Sequence, residues 1–91
     1  MRELSDWRRQ IDALDRDLVE LLNRRAEIVL QLAPLKRENR IEVFDPERER
    51  AVHENLRRAN RGPLPSESVE KIFDAVMAAM RELQKAPAGS E

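Results

Sequence analysis

Hydrophobic residues in the first part of the chain recur with a seven-residue pattern. Nine of its ten inward positions are apolar and Arg25 is the exception; the positions are Leu4, Trp7, Ile11, Leu14, Leu18, Leu21, Arg25, Ile28, Leu32 and Leu35. Such a run predicts one long helix, over about residues 6–38, packed along a helical partner. Ser5 is its predicted N-cap. Pro34 removes one backbone hydrogen bond, but the helical pattern continues through Lys36, so we expect a bend rather than an end.

Two shorter helical patterns follow, separated by proline and glycine. One covers residues 46–60 after the N-cap Asp45, and the other covers residues 66–85 with Ser66 as its predicted cap. No segment shows the strict alternation of a half-buried strand, so the chain is predicted to be all-α, with one long and two shorter helices. We expect a helical domain over residues 1–85 and a flexible tail over residues 86–91.

The length of the first helix predicts a dimer. A helix over residues 6–38 would be roughly 50 Å long. A compact globule of 91 residues has a diameter of about 30 Å. Two short helices cannot cover an apolar stripe of that length. The simplest solution is a two-fold homodimer in which two long helices cover each other.

Composition excludes several classes of protein. The chain has no Cys and one His, which excludes thiolate metal sites and Cys nucleophiles and argues against a Ser-His-Asp triad. The net charge is −1, without the basic excess of a nucleic-acid or membrane-surface binder. No apolar run has the length of a membrane span, and no signal peptide is apparent, so we expect a cytoplasmic chain.

Arg25 is the one charged residue on the long apolar stripe. In the structural interpretation, its side chain extends to solvent or forms a buried ion pair. In the functional interpretation, it binds an anion inside a helical bundle. Lys36 lies three turns further and within about 20° of the same direction, so both cations could share a cavity wall. Arg8 lies about 25 Å from Arg25 along one helix. In an antiparallel dimer, however, the partner's Arg8 could approach Arg25.

Other polar residues are weaker signals. Arg48 and Glu49 stand in the first turn of the second helix beside Asp45, where dipole compensation and surface pairing also explain them. Gln84 flanks the apolar stripe of the third helix, and His53 is predicted to be solvated. Together with the cations, the Glu49 carboxylate and the Gln84 amide predict a helical bundle whose interior suits a small dianion.

At this point the sequence resembles the small all-α chorismate mutases, over about residues 4–85. The matching stretches are residues 8–15 (RRQIDALD), residues 18–25 (LVELLNRR), Lys36, residues 43–49 (VFDPERE), and the segment from Ile72-Phe73 through Leu83-Gln84. The resemblance implies an intertwined helical-bundle homodimer of three-helix chains. It also implies the pericyclic rearrangement of chorismate to prephenate in aromatic amino-acid biosynthesis, without metal, cofactor or covalent intermediate.

The resemblance also implies roles for individual residues. Arg25 and the partner's Arg8 would bind the two substrate carboxylates. Lys36 and Gln84 would donate hydrogen bonds to the ether oxygen of the breaking bond.

Near the second and third helices, the resemblance implies that Glu49 and the segment around Asp45 hold the ring hydroxyl, with Arg48 supporting the site. Met80 stands where the family often has a small polar residue that touches the substrate. Each dimer would have two such sites.

Two alternatives stay open. One is an isochorismate-pyruvate lyase on the same fold, whose site lacks some polar groups of the mutase; the presence of both Glu49 and Gln84 favours the mutase. The other is a non-catalytic helical dimer or regulatory module, in which Arg25 on the apolar stripe would be an unexplained cost. A partner enzyme of the same pathway is also compatible with a stand-alone mutase chain.

Overall fold

A computed structural model describes residues 3–85 as three helices: α1 (Leu4–Glu38), α2 (Pro46–Ala59) and α3 (Ser66–Lys85). No strand occurs in this part of the chain. The all-α prediction is confirmed, and the three predicted segments agree with the helices to within two residues. The predicted tail over residues 86–91 lies outside the described residues.

Helix α1 begins earlier than predicted and continues through its proline. The backbone N–H of Glu3 donates to the Asp6 carboxylate over 3.2 Å, so the side chain three residues into the helix caps it. The predicted cap Ser5 is therefore wrong, because this residue already lies inside the first turn. Pro34 lies within the helix, which continues to Glu38 as predicted.

The end of α1 is a Schellman turn. Arg40 has a φ of 57°, in the left-handed region that favours glycine. The N–H of Arg40 donates to the carbonyl of Arg37 over 3.2 Å, and the N–H of Ile41 to that of Lys36 over 2.8 Å. This pair of hydrogen bonds reverses the chain, so that the connector of residues 39–45 returns beside the last turn of α1.

The starts of α2 and α3 use different caps. Asp45 caps α2 as predicted, since its carboxylate accepts the backbone N–H of Arg48 over 3.1 Å. For α3, the predicted cap Ser66 is wrong. The Pro65 carbonyl accepts the first backbone hydrogen bonds, from Ser68 and Val69, while the Ser66 hydroxyl accepts the Asn60 side-chain amide over 3.2 Å.

Helix α3 packs against both other helices and carries most of the small core. The buried apolar side chains of residues 3–85 are Val52, Met77 and Met80. Helices α2 and α3 are also joined by three polar pairs: Glu49–Arg81, His53–Asp74 and Arg57–Glu70. His53 keeps part of its side chain in solvent, and its Nε2 also lies 2.7 Å from the exposed Asp74 carboxylate, a partner that the sequence did not predict.

The single chain leaves most of its long helix uncovered. Its extents are 58 × 34 × 14 Å and its radius of gyration is 16.6 Å, against about 12 Å for a compact chain of this length. No residue of α1 is buried, and Leu14 and Ile28 are 62% and 60% exposed. Within the described range, no helix is long and apolar enough to cross a membrane.

Candidate active site

A cavity of about 230 Å³ lies between the C-terminal half of α1, the connector, the start of α2 and the end of α3. It is lined by Arg25, Ile28, Val29, Leu32, Lys36, Val43, Asp45, Arg48, Glu49, Val52, Met77, Met80, Arg81 and Gln84. Seven of the eight predicted site residues are in this set. The volume suits a ligand smaller than the drug-sized molecules that occupy pockets of about 300–1,000 Å³.

Lys36 reaches the cavity from the last turn of α1. It is half-buried, and its Nζ donates to the Val43 carbonyl over 3.4 Å and to Gln84 Oε1 over 3.3 Å. Lys36 can occupy this position because the helix continues past Pro34. Two hydrogen bonds leave the ammonium group one N–H for a ligand.

Gln84 lies opposite Lys36 on the last turn of α3. Its Oε1 accepts the Lys36 ammonium, and its Nε2 donates to the Met80 carbonyl over 3.2 Å. The amide therefore joins α3 to α1 and is oriented with its oxygen toward the lysine. Met80 itself is buried and contributes its side chain to the cavity wall.

Arg25 lies three turns before Lys36 on the same wall of the cavity. Its side chain is half-buried. It forms no ion pair or side-chain hydrogen bond with any of residues 3–85. A partly desolvated guanidinium with no counter-charge from these residues is suited to bind an anion from outside the chain.

The first turn of α2 contributes Asp45, Arg48 and Glu49. One oxygen of Asp45 is used to cap the helix, which keeps this carboxylate at the cavity edge. The Arg48 side chain is exposed at the rim, whereas Glu49 is half-buried. The Glu49 carboxylate is held by an ion pair with Arg81.

Arg81 is a cavity residue that the sequence reasoning missed. Its guanidinium pairs with Glu49 and lies over the Phe44 ring, 5.1 Å from the ring centroid. A signal was present, because Arg81 lies three residues before Gln84 and residues at this spacing share a helix face. The contact with Glu49 depends on the packing of α2 against α3, and this packing cannot be predicted from the sequence pattern.

Arg8 is the predicted site residue that does not line the cavity. It lies on the exposed N-terminal part of α1, about 25 Å along the helix from Arg25. The cavity wall has four cations and two carboxylates: Arg25, Lys36, Arg48 and Arg81 against Asp45 and Glu49. This excess of positive charge suits a ligand with two negative charges.

Comparisons with known proteins identify the family of this chain. The family described as Chorismate mutase type II matches residues 7–85. A bifunctional chorismate mutase/prephenate dehydratase of Aquifex aeolicus is 32% identical over 89 residues, which are 93% of this chain and 25% of that protein. The chain thus spans about a quarter of the length of that relative.

Two solved structures are similar over nearly the whole chain. Chorismate mutase (Form II) from Thermus thermophilus has a TM-score of 0.88 at 27% identity, covering 93% of this chain and 97% of that one. Chorismate mutase from Helicobacter pylori, in complex with prephenate, has a TM-score of 0.82 at 32% identity. That match covers 90% of this chain and 89% of the other.

Proposed function

The chain belongs to the chorismate mutase type II family, and from this premise we propose that it rearranges chorismate to prephenate in aromatic amino-acid biosynthesis. The observation that carries the proposal is the convergence of Arg25, Lys36 and Gln84 on one cavity with an excess of positive charge. The structure of the Helicobacter pylori relative with prephenate supports a ligand of this kind.

The substrate's charge matches the cavity. Chorismate carries two carboxylates, and the unpaired guanidinium of Arg25 can bind one of them through two parallel hydrogen bonds. The second carboxylate needs another cation at the open side of the cavity. We assign this role to the partner's Arg8, since Arg8 of the same chain lies too far along α1.

The reaction itself needs no nucleophile and no proton transfer. One carbon–oxygen bond of the ether breaks while one carbon–carbon bond forms, within a single molecule. The protein must hold the substrate in the folded chair in which the two reacting carbons meet. Clamping both carboxylates restricts the substrate to that conformer, and such restriction can supply a large part of the rate enhancement.

Lys36 and Gln84 are the proposed donors to the ether oxygen, where negative charge develops as the carbon–oxygen bond stretches. In the substrate-free chain, Gln84 presents its oxygen to Lys36. Turning the amide by about 180° would break its hydrogen bond to the Met80 carbonyl and present Nε2 instead, a second donor facing the ammonium. Two donors face each other favourably only when an acceptor lies between them, and the ether oxygen is such an acceptor.

Glu49 is the proposed acceptor for the ring hydroxyl, at the wall formed by the first turn of α2. One carboxylate oxygen is engaged by Arg81, and the other can accept the hydroxyl proton. Asp45 and Arg48 complete this side of the cavity. The buried Met80 side chain forms the cavity wall next to Gln84, so a ligand would make apolar contact there, apart from the Met80 backbone carbonyl.

We further propose an intertwined homodimer with two shared sites. The exposed apolar stripe of α1 and the extended shape of the chain support it. A partner enzyme that consumes prephenate is a further expectation, because the Aquifex aeolicus relative combines the mutase with prephenate dehydratase in its name. A cytoplasmic location remains a prediction from the sequence.

An absorbance assay of chorismate loss tests the proposed activity. We expect the purified chain to consume chorismate and to form prephenate, identified as the product. Isochorismate is assayed in parallel, because release of pyruvate from it without loss of chorismate would indicate the lyase. Turnover of neither compound would refute both activities and favour a non-catalytic helical dimer.

A further inference from the structure

Arg81 joins three parts of the cavity wall through one guanidinium. It stands on α3, pairs with Glu49 on α2 and lies over the ring of Phe44 in the connector. The side chains of Arg81 and Glu49 are only 27% and 24% exposed, so the pair is partly withdrawn from solvent. Of the cations on the wall, Arg81 is the one paired with the Glu49 carboxylate.

The Arg81–Glu49 pair compensates a negative charge that would otherwise repel an anionic ligand. A ligand with two carboxylates would meet the negative charge of Glu49 a few ångströms away, and like charges at such distances are strongly unfavourable in a partly desolvated site. Glu49 can accept a hydroxyl hydrogen bond without repelling the ligand only if its charge is compensated. Arg81 supplies that compensation and fixes the direction of the carboxylate.

We propose that Arg81 is a positioning residue that neutralises and orients Glu49, so that Glu49 can recognise the substrate's hydroxyl group beside a dianion. The inference rests on the proposed function for the identity of the ligand. It assigns Arg81 no contact with the substrate. The Phe44 ring, whose centroid lies 5.1 Å from the guanidinium, and the Glu49 carboxylate together hold the Arg81 side chain at the cavity wall.

The chain offers a matched control for this pair. Arg57 and Glu70 also join α2 to α3, with a hydrogen bond of 3.3 Å from Arg57 Nη2, but neither residue lines the cavity. Replacing Arg57 removes an interhelical Arg–Glu pair of the same type. It should affect folding stability without affecting the ligand.

The experiment is a double-mutant cycle on Glu49 and Arg81. It measures kcat and KM for chorismate, and the Kd of prephenate by titration calorimetry. We expect Arg81→Met to raise KM and Kd about tenfold. In a Glu49→Gln background the same substitution should change them less than about twofold, because a neutral amide no longer repels the ligand. Arg81→Lys should recover most of the affinity, and Arg57→Met should leave KM unchanged.

Two results would overturn the proposal. An equal loss of affinity from Arg81→Met in both backgrounds would mean that Arg81 binds the ligand directly. An equal loss from Arg57→Met would mean that any α2–α3 pair has this effect. If the wild-type chain neither converts chorismate nor binds prephenate, the proposed function fails. Thermal unfolding of the same variants then tests whether Arg81 and Glu49 interact. Losses in Tm that add in the double variant would show that the two residues are not coupled.

Discussion

At the scale of single residues, Lys36 and Gln84 are expected to determine the rate more than the affinity. In the proposed complex, with the Gln84 amide turned, their donors face the ether oxygen where charge develops in the transition state. Loss of one such donor costs on the order of a hundredfold or more in kcat. Lys36→Ala and Gln84→Ala should each lower kcat to that extent and change KM much less. Steady-state kinetics on purified variants with unchanged circular dichroism checks this expectation.

Lys85 provides the control for Lys36. It follows Gln84 directly, is exposed, and pairs with Glu82 over 3.8 Å on the outside of α3. Lys85→Ala should retain wild-type kcat. If Lys36→Ala and Gln84→Ala also retain full turnover, the proposed role of these donors is wrong, whatever reaction the chain catalyses.

The residues of the candidate site differ in how well the sequence alone predicts them. Arg25 interrupts an apolar stripe, and a fixed spacing of 11 residues on one helix places Lys36 on the same wall. Arg81 is not visible in this way, because its significance comes from Glu49 on another helix and Phe44 in a loop. The orientation of the Gln84 amide is equally hidden, since it depends on the Lys36 ammonium reaching across from α1.

At the scale of elements, the turn that ends α1 makes a prediction about stability. Arg40 occupies a left-handed conformation that costs a residue with a Cβ roughly 1–2 kcal/mol and costs glycine little. Arg40→Gly should therefore stabilise the protein by about 1 kcal/mol. Urea unfolding at fixed protein concentration measures the change.

Arg40→Ala separates the backbone effect from the loss of charge. Alanine keeps the Cβ and removes the guanidinium, so Arg40→Ala should show no such gain. Equal stability of the two variants would contradict the explanation, as would destabilisation by glycine. The turn matters for the site because its hydrogen bond from Ile41 to Lys36 sets the course of the connector past the lysine.

The element boundaries were predictable because proline and glycine separate three periodic segments. The caps were less so. Ser5 and Ser66 have suitable side chains, but Asp6 and the Pro65 carbonyl provide competing acceptors that begin each helix elsewhere. The partner of His53 was hidden as well, because Asp74 meets it only through the register between α2 and α3.

At the scale of the whole molecule, the long helix determines which assembly is expected. A single chain leaves the apolar stripe of α1 in solvent, including Leu14 and Ile28, and an exposed patch of this size marks an interaction surface. Antiparallel pairing of two α1 helices would cover the stripe. The same pairing would bring the N-terminal end of one α1 to the cavity beside the C-terminal half of the other, which is where the second carboxylate clamp is needed.

Subunit mixing tests this arrangement through Arg8 and Arg25. Arg8→Ala and Arg25→Ala homodimers should each be nearly inactive, because every site lacks one clamp. In a mixed dimer, one site combines the intact Arg25 of one chain with the intact Arg8 of its partner, and the other site lacks both. Equal amounts after full exchange should therefore recover about a quarter of wild-type activity.

The recovery distinguishes shared sites from sites within one chain. Light scattering first establishes that the wild-type chain is a dimer, and exchange is followed with one variant carrying a mass tag. If both arginines serve a site of the same chain, no mixture can restore activity, since every chain keeps its own defect. If Arg8 has no role, the Arg8→Ala homodimer is active before any mixing. Recovery near a quarter requires that each site draw Arg25 and Arg8 from different chains.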